Sequence, residues 1–132
     1  MDHSTFQWLA VVGATLIGGM MLLQILLAAG LPLGHAAFGG EHRVLPIRLR
    51  VASAVSVLVF AAAFCVILAR VGLFGMGSRK SLLVQVGTWV LVVLFGLSTL
   101  ANVASRSHWE RRVMAPVALL LTICFVAVAL RP

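Results

Sequence analysis

The sequence has little negative charge and none inside its long apolar runs. Three of the 132 residues are acidic, Asp2 is the only aspartate, and no Asp, Glu or Lys lies in the middle of a run. A four-helix multidrug exporter needs a carboxylate at that depth to exchange protons for cations, because an ionisable group inside the membrane carries the proton. An intramembrane aspartyl protease needs two aspartates. The sequence therefore excludes both classes.

Cysteine and histidine are too few, or wrongly placed, for two kinds of redox chemistry. Cys65 and Cys124 lie in different apolar runs and form no C-x-x-C pair, which excludes a four-helix quinone-linked thiol oxidoreductase. No run has a histidine near its centre that could be an axial haem ligand. We interpret the two cysteines as thiols that pack like apolar residues, and we expect no cofactor.

What the chain has instead is apolar length. Hydrophobic residues make up 62% of it and charged residues 10%, with a mean hydropathy of +1.14. Globular chains are about 45–50% apolar, and about 20 apolar residues in a helix cross a bilayer. We therefore predict an all-α fold, a four-transmembrane-helix bundle in which residues 1–132 form a single integral membrane domain. The predicted helices cover about 6–29, 47–71, 81–104 and 108–130.

The first apolar run could be mistaken for a signal peptide. It has no basic segment before it, and it is longer than the apolar part of such a peptide. We expect it to be retained as helix 1.

The widest break between apolar runs is residues 30–50, GLPLGHAAFGGEHRVLPIRLR. Its glycines, with Pro32, interrupt helical structure. Apolar residues between them indicate that the segment lies against the protein or the membrane interface, because non-helical backbone at that depth must be buried or wetted. Pro46 suits the first turn of helix 2, where a missing N–H costs nothing. We predict a Gly/Pro-broken interfacial loop between helices 1 and 2.

Small residues recur along helices 1 and 2. Ala10, Ala14 and Gly18 are four residues apart on helix 1, and helix 2 has a similar face that includes Ala61–Ala63. Such faces let the backbone of a neighbouring helix approach closely. They could serve packing inside the bundle, a homo-oligomer or contact with a membrane partner protein.

Helix 3 carries its polar residues on one side, since they are spaced three or four residues apart in part of the run. Polar groups turned towards lipid are costly, so we expect this side to face the bundle. It could form hydrogen bonds between helices or line a narrow polar pathway. The polar stripe consists of Gln85, Thr88, Thr99 and Asn102.

Basic residues gather between the apolar runs. Loops 1, 2 and 3 connect helices 1 and 2, 2 and 3, and 3 and 4. Four spans place both termini and loop 2 on one side, where the basic residues are Arg70, Arg79, Lys80 and Arg131. Loops 1 and 3 lie on the other side with six arginines, so the positive-inside rule predicts that these loops are cytoplasmic and both termini outside. The six are Arg43, Arg48, Arg50, Arg106, Arg111 and Arg112.

The six arginines predict an acidic partner, although not nucleic acid, because the chain has no basic surface beyond these flanks. They could contact anionic lipid headgroups at the surface of the bilayer. They could also pair with Glu41 and Glu110 and pin loop 1 against the hairpin of helices 3 and 4. Arginine suits either role because its guanidinium binds phosphate and carboxylate in a bidentate manner.

The same topology brings imidazoles and carboxylates to one face. They are His35, Glu41, His42, His108 and Glu110. Such side chains can hold a divalent metal, which makes a metal site one hypothesis; histidines without a ligand at the interface are the other. Ser107 and Glu110 separately fit a capping box that starts helix 4 near His108.

Two stretches carry a resemblance. They are G-x-P-x-G-x-A-x-x-G-G-x-H-x-x-L-P-x-R-x-R-x-x-S, from Gly30 to Ser53, and N-x-x-S-x-S-x-x-E-R, from Asn102 to Arg111. Together they resemble small four-helix integral membrane proteins of bacteria, a group with no assigned activity. The resemblance implies the fold and the location, and it brings no catalytic residues.

We expect a small integral membrane protein that is not an enzyme and has a structural, accessory or binding role. One alternative is a small-solute or ion transporter that acts as a homodimer, with the polar stripe of helix 3 lining its path. The other is an enzyme that acts on a lipid headgroup at the face of residues 30–50.

Overall fold

The computed structural model describes residues 3–73, 75 and 81–130, and it is all-α. The helices are α1, His3–Ala28; α2, Ile47–Arg70; α3, Leu82–Val103; and α4, a π-helical turn Glu110–Met114 followed by Ala115–Ala129. Residues 108 and 109 are also helical and lead into α4. All four are long and apolar enough to cross a membrane. The all-α prediction with four such helices is confirmed, and the bounds lie within three residues of the predicted ones.

Two helices end on a glycine in the left-handed conformation. Gly30 has φ +89° and Gly72 has φ +87°. The following residue in each case donates its N–H five residues back, from Leu31 to Leu26 and from Leu73 to Leu68. This is the Schellman motif, which satisfies carbonyl groups that the end of a helix leaves free. The motif at Gly30 ends α1 and begins loop 1, residues 29–46.

The helices pack mainly as two antiparallel pairs, α1 with α2 and α3 with α4, and α1 also packs on α4. Contact between α2 and α3 is narrower. It includes the stacked rings of Phe60 and Phe95, whose centroids are 5.9 Å apart. The core has members from all four helices. They are Ala10, Ile17, Phe60, Ala63, Ile67, Leu91, Phe95, Leu121 and Phe125.

The small residues of α1 pack partly inside the bundle. Ala10 is buried, and Ala14 packs on the core. The closest approach is at Gly13, where a Cβ would lie 2.9 Å from Ile67 Cδ1. A Cβ on Gly18, by contrast, would have no neighbour within 4 Å. The side of α1 that needs small residues therefore passes through Gly13 as well as through the Ala10–Ala14 part of the predicted stripe.

Two arginines are turned towards the protein, where they cap helix C-termini. Arg50 of α2 donates from Nε to the carbonyl oxygen of Ala28 at 2.8 Å. Arg70, at the other end of α2, is 4% exposed and donates to the carbonyl oxygens of Val128 and Ala129 at the end of α4. A cation is stabilised at this position by the free carbonyls and the helix dipole. These contacts tie α2 to α1 at one end of the bundle and to α4 at the other.

The π-helical turn of α4 precedes Pro116. The N–H of Ala115 donates to the carbonyl oxygen of Glu110, five residues back. A proline inside an α-helix lacks an N–H and crowds the carbonyl group four residues earlier, so a wider turn before it relieves both problems. The proline therefore accounts for the π-helical turn.

Several charged residues in the orientation argument lie outside the described residues. They are Asp2, Arg79, Lys80 and Arg131. Of the basic residues assigned to that side, Arg70 is described, and it is buried.

Loop 1 is stabilised by a close backbone approach at Gly34. Its N–H donates to the carbonyl oxygen of Arg43 at 3.0 Å, and a Cβ at Gly34 would collide with the carbonyl oxygen of His42. We expect Gly34→Ala to lower the free energy of unfolding by about 1–3 kcal/mol, as overpacking does. Thermal unfolding in detergent, followed by circular dichroism, measures the change.

Gly19→Ala is the matched control. A Cβ at Gly19 meets no atom within 4 Å, and alanine favours a helix over glycine by about 0.5–1 kcal/mol. Equal melting temperatures for the two variants would contradict the close approach at Gly34.

Candidate functional site

A cleft of about 600 Å³ lies at the end of the bundle that carries loop 1. All four helices and loop 1 contribute to it. Its inner part is lined by apolar residues of the helices, Met20, Leu23, Val59, Phe60, Leu94, Phe95 and Met114, and Ala36, Ala37, Phe38 and Ala101 add apolar surface at the loop end. The polar part is concentrated towards the loops: Gln24, Glu41, Ser56, Ser98, Asn102, Ser105, Arg106 and Glu110. The cleft is therefore amphipathic along the bundle axis.

Aromatic rings close the inner end of this cleft. Phe95 stacks on Phe60 at 5.9 Å and packs against Phe125 at 5.4 Å between centroids, and all three side chains are buried. Farther along, α3 approaches α2 closely, since a Cβ on Gly87 would lie 3.7 Å from Val66. Among the described residues, α2 and α3 are therefore in contact on the inner side of the cleft.

The polar stripe predicted on α3 is divided by this closure. Thr88 is buried and donates to the carbonyl oxygen of Val84 at 2.6 Å, and Thr99 donates to that of Phe95 at 2.8 Å. Hydroxyl groups that bond four residues back are satisfied within their own helix. Gln85 is exposed and lies in a different, apolar groove. Asn102 alone of the four lines the cleft.

Glu110 holds loop 1 over the cleft. Its side chain is 7% exposed, and both carboxylate oxygens lie 3.2 Å from the backbone nitrogen of Gly39, which donates to them. The hydroxyl group of Ser105 donates to the same carboxylate. Hydrogen bonds to a charged acceptor are roughly twice as strong as neutral ones. Loop 1 and the start of α4 are thus joined by a buried, charged acceptor.

The predicted capping box at Ser107 is present in an altered form. The N–H of Glu110 donates to Ser107 Oγ at 3.4 Å, as the motif requires. The reciprocal bond is relayed, because the N–H of Ser107 donates to Ser105 Oγ at 3.1 Å, and this hydroxyl bonds to Glu110. Ser107 Oγ also donates to the carbonyl oxygen of His35 at 2.8 Å. The cap therefore contacts loop 1 a second time.

An unusual backbone conformation allows loop 1 to reach Glu110. Gly39 and Gly40 have φ values of +82° and +73°, and Phe38 has φ +52°. The left-handed conformation is open to glycine but costs other residues roughly 1–2 kcal/mol. Gly40 is also close to α4, since a Cβ there would lie 3.0 Å from Ser107 Oγ. The Gly39–Gly40 pair thus permits both the turn and the close approach.

The six arginines predicted to contact anions have three different environments. Arg50 caps α1, and Nη2 of Arg111 lies 3.0 Å from Nδ1 of His108. The side chains of the other four are exposed and have no hydrogen bond or ion pair in the described part of the chain: Arg43, Arg48, Arg106 and Arg112. Arg106 is the one that lines the cleft. The partners of the Glu110 carboxylate are Gly39 and Ser105 rather than an arginine.

The residues of the metal hypothesis are not assembled into a metal site. Among the described residues, no three His, Cys, Asp or Glu side chains come together in a group that could hold an ion. His35 packs its ring edge-on against Trp109, with centroids 5.8 Å apart. Glu110 is bonded to Gly39 and Ser105, while Glu41, His42 and His108 are exposed.

Four polar residues of the cleft lining, Gln24, Ser56, Ser98 and Ser105, were not singled out as site residues from the sequence. Gln24 lines the cleft, and its Oε1 is buried without a hydrogen-bond partner. Ser98 accepts a bond from Asn102 Nδ2 at 3.5 Å, and Ser105 bonds Glu110. For Ser98, the four-residue spacing to Asn102 was a signal. For Gln24 the signal was only that it is a glutamine inside a long apolar run.

Comparison of the chain with protein-family models, curated proteins and solved structures finds no match. The roles of the cleft residues therefore rest on the geometry alone.

The contact between Glu110 and Gly39 can be tested directly. We expect Glu110→Ala to increase hydrogen exchange at the Gly39 amide and its neighbours by about tenfold or more, because a bond to a charged group contributes about 1.5–3 kcal/mol. Hydrogen–deuterium exchange with mass spectrometry of the protein in detergent measures it.

Glu41→Ala removes a carboxylate from the same loop and is the control, since Glu41 is exposed and has no such bond. Unchanged exchange across 34–42 in Glu110→Ala would show that loop 1 is held by other contacts.

Proposed function

We propose that the protein is a multi-pass integral membrane protein that is not an enzyme and binds a phospholipid from the surrounding bilayer in its cleft. The observation that carries this proposal is the order of the cleft lining, apolar towards the middle of the bundle and polar at the loop-1 end. A phospholipid has the same order of acyl chain, phosphate and headgroup. The volume of about 600 Å³ falls within the range of about 300–1,000 Å³ that is usual for ligand sites.

The proposed location is a bacterial plasma membrane, with the loop-1 end in the cytoplasm and both termini outside. Four apolar helices support a multi-pass protein. Four exposed, unpaired arginines at the loop-1 end support the orientation, because positive residues accumulate on the cytoplasmic side. The cleft then opens towards the cytoplasmic leaflet.

The polar end of the cleft gives the proposal its specificity. Inside a bilayer, lipid chains are as apolar as the side chains of Phe60 or Leu94, so an apolar wall alone gains little by holding one of them. A charged group that lines the same cleft is different. Arg106 is exposed and has no partner within the described part of the protein. Its guanidinium can bind a phosphate through two parallel hydrogen bonds.

The two alternatives have less support. A transport path along α3 would have to pass the rings of Phe60, Phe95 and Phe125, and the two threonines of the stripe bond within their own helix. An enzyme acting on a headgroup would need a general acid or base. The buried carboxylate in the cleft, Glu110, instead binds loop 1 through Gly39. Both alternatives stay hypotheses drawn from the sequence.

Replacement of Arg106 tests the proposal. We expect Arg106→Gln to weaken phospholipid binding about tenfold or more, because a hydrogen bond to a charged group contributes about 1.5–3 kcal/mol. Native mass spectrometry of the detergent-solubilised protein, titrated with a phospholipid, gives the bound fraction.

Arg112→Gln is the matched control: it removes the same charge from the same end of the bundle at an exposed position outside the cleft lining. If both variants lose affinity equally, the arginines act as a diffuse positive surface and the cleft is not the site. The absence of any phospholipid binding to the wild type would also overturn the proposal.

A further inference from the structure

We propose that the cleft selects a phospholipid whose headgroup ends in a protonated amine that still carries N–H groups. This rests on the proposed phospholipid-binding function and names the class of lipid. Some polar atoms of the cleft are already hydrogen-bonded within the protein, and others are left for a ligand.

Three polar side chains of the cleft use hydrogen-bond donors within the protein. Ser56 donates to the carbonyl oxygen of Ala52 at 3.0 Å, Ser105 to Glu110, and Asn102 Nδ2 to Ser98 Oγ at 3.5 Å. The charged donor of the lining, the guanidinium of Arg106, has no partner in the described part of the chain, and the side-chain N–H groups of Gln24 have none either. A ligand that fills the cleft therefore meets one strong, charged donor, which suits its phosphate.

Two acceptor groups of the lining are also left without a partner. Gln24 Oε1 is buried without a partner, and the carboxylate of Glu41 has none in the described part of the chain. Gln24 lies four residues before the end of α1, about 6 Å along the helix axis at about 1.5 Å per residue. Glu41 lies in loop 1 beyond the helix end. The two acceptors thus mark out the headgroup end of the cleft at different depths.

Charge points to the same class of headgroup. The lining contains one cation, Arg106, and two carboxylates, Glu41 and Glu110, so its formal charge is −1. An anionic phospholipid would add a second negative charge to a cleft of the same sign. A primary ammonium group brings a positive charge and three N–H donors, with no acceptor, and it matches both the charge and the free acceptors. A quaternary ammonium brings the charge without the donors.

The test is a comparison of headgroups at constant acyl chains. Phosphatidylethanolamine, its N-methyl and N,N-dimethyl derivatives, phosphatidylcholine and phosphatidylglycerol are titrated against the wild-type protein in detergent, and native mass spectrometry gives each affinity. We expect phosphatidylethanolamine to bind about tenfold tighter than phosphatidylcholine, with a graded loss as methyl groups replace N–H. We also expect it to bind more tightly than phosphatidylglycerol.

Two variants separate the acceptors. Glu41→Gln removes an exposed charge and is expected to reduce the preference for phosphatidylethanolamine over phosphatidylglycerol. Gln24→Leu keeps the size of the side chain and is expected to flatten the methylation series. Gln85→Leu is its control, a glutamine in a long apolar helix that lies outside the cleft. It is expected to leave the series unchanged.

The two levels of the proposal fail differently. If none of the five lipids binds, the proposed function is wrong. If they bind but phosphatidylcholine equals phosphatidylethanolamine, or phosphatidylglycerol binds as tightly, the inference about the amine is overturned while phospholipid binding stands. A wild-type preference that is unchanged in both Gln24→Leu and Glu41→Gln would also overturn it, because the selecting acceptors would lie elsewhere.

Discussion

The buried carboxylate of Glu110 is the contact on which the arrangement of the site depends. It accepts hydrogen bonds from the backbone of loop 1 and from Ser105, and it does so where little water competes. A buried charge without partners is strongly unfavourable, so the carboxylate and loop 1 require each other. Because loop 1 is attached there, its residues 36–39 and 41 lie at the end of the cleft as part of its lining.

The cleft itself follows from the unequal packing of the helices. The pairs α1–α2, α3–α4 and α1–α4 are in extensive contact, whereas α2 and α3 contact each other less. Their contacts include Phe60 with Phe95, and Val66 with the backbone at Gly87. Short side chains such as Ser56 and Ser98 follow on the loop-1 side of those rings. Large aromatic side chains near the middle of the bundle and small polar side chains towards its loop-1 end leave room for the cleft at that end. Ser105, between α3 and α4, bonds Glu110, and Glu110 bonds Gly39, so this side of the cleft is attached to loop 1.

Much of the fold could be predicted from the sequence, because apolar length and the breaks between runs determine helices that are long enough to cross a membrane. The Gly/Pro-broken loop and the start of α4 near His108 followed from similarly local signals. The partners of the charged residues could not be predicted. Glu110 suggested an arginine, yet the N–H of Gly39 reaches it only because two glycines adopt positive φ values. The same holds for Arg70, which the sequence placed among the basic residues between apolar runs and which is buried against α4.

The polar stripe of α3 shows why spacing alone did not define the site. A helical period places Thr88, Thr99 and Asn102 on one side, but it does not say whether their side chains bond to another helix or to their own backbone. Threonine can bond four residues back, and both threonines do so, which removes them from any polar surface. Asn102 has no such bond to its backbone and lies beyond the closing rings, so it alone contributes to the cleft. The polar surface of the cleft therefore depends on which side chains keep an unsatisfied atom after folding. Gln24 lines the cleft and keeps a buried one, its Oε1.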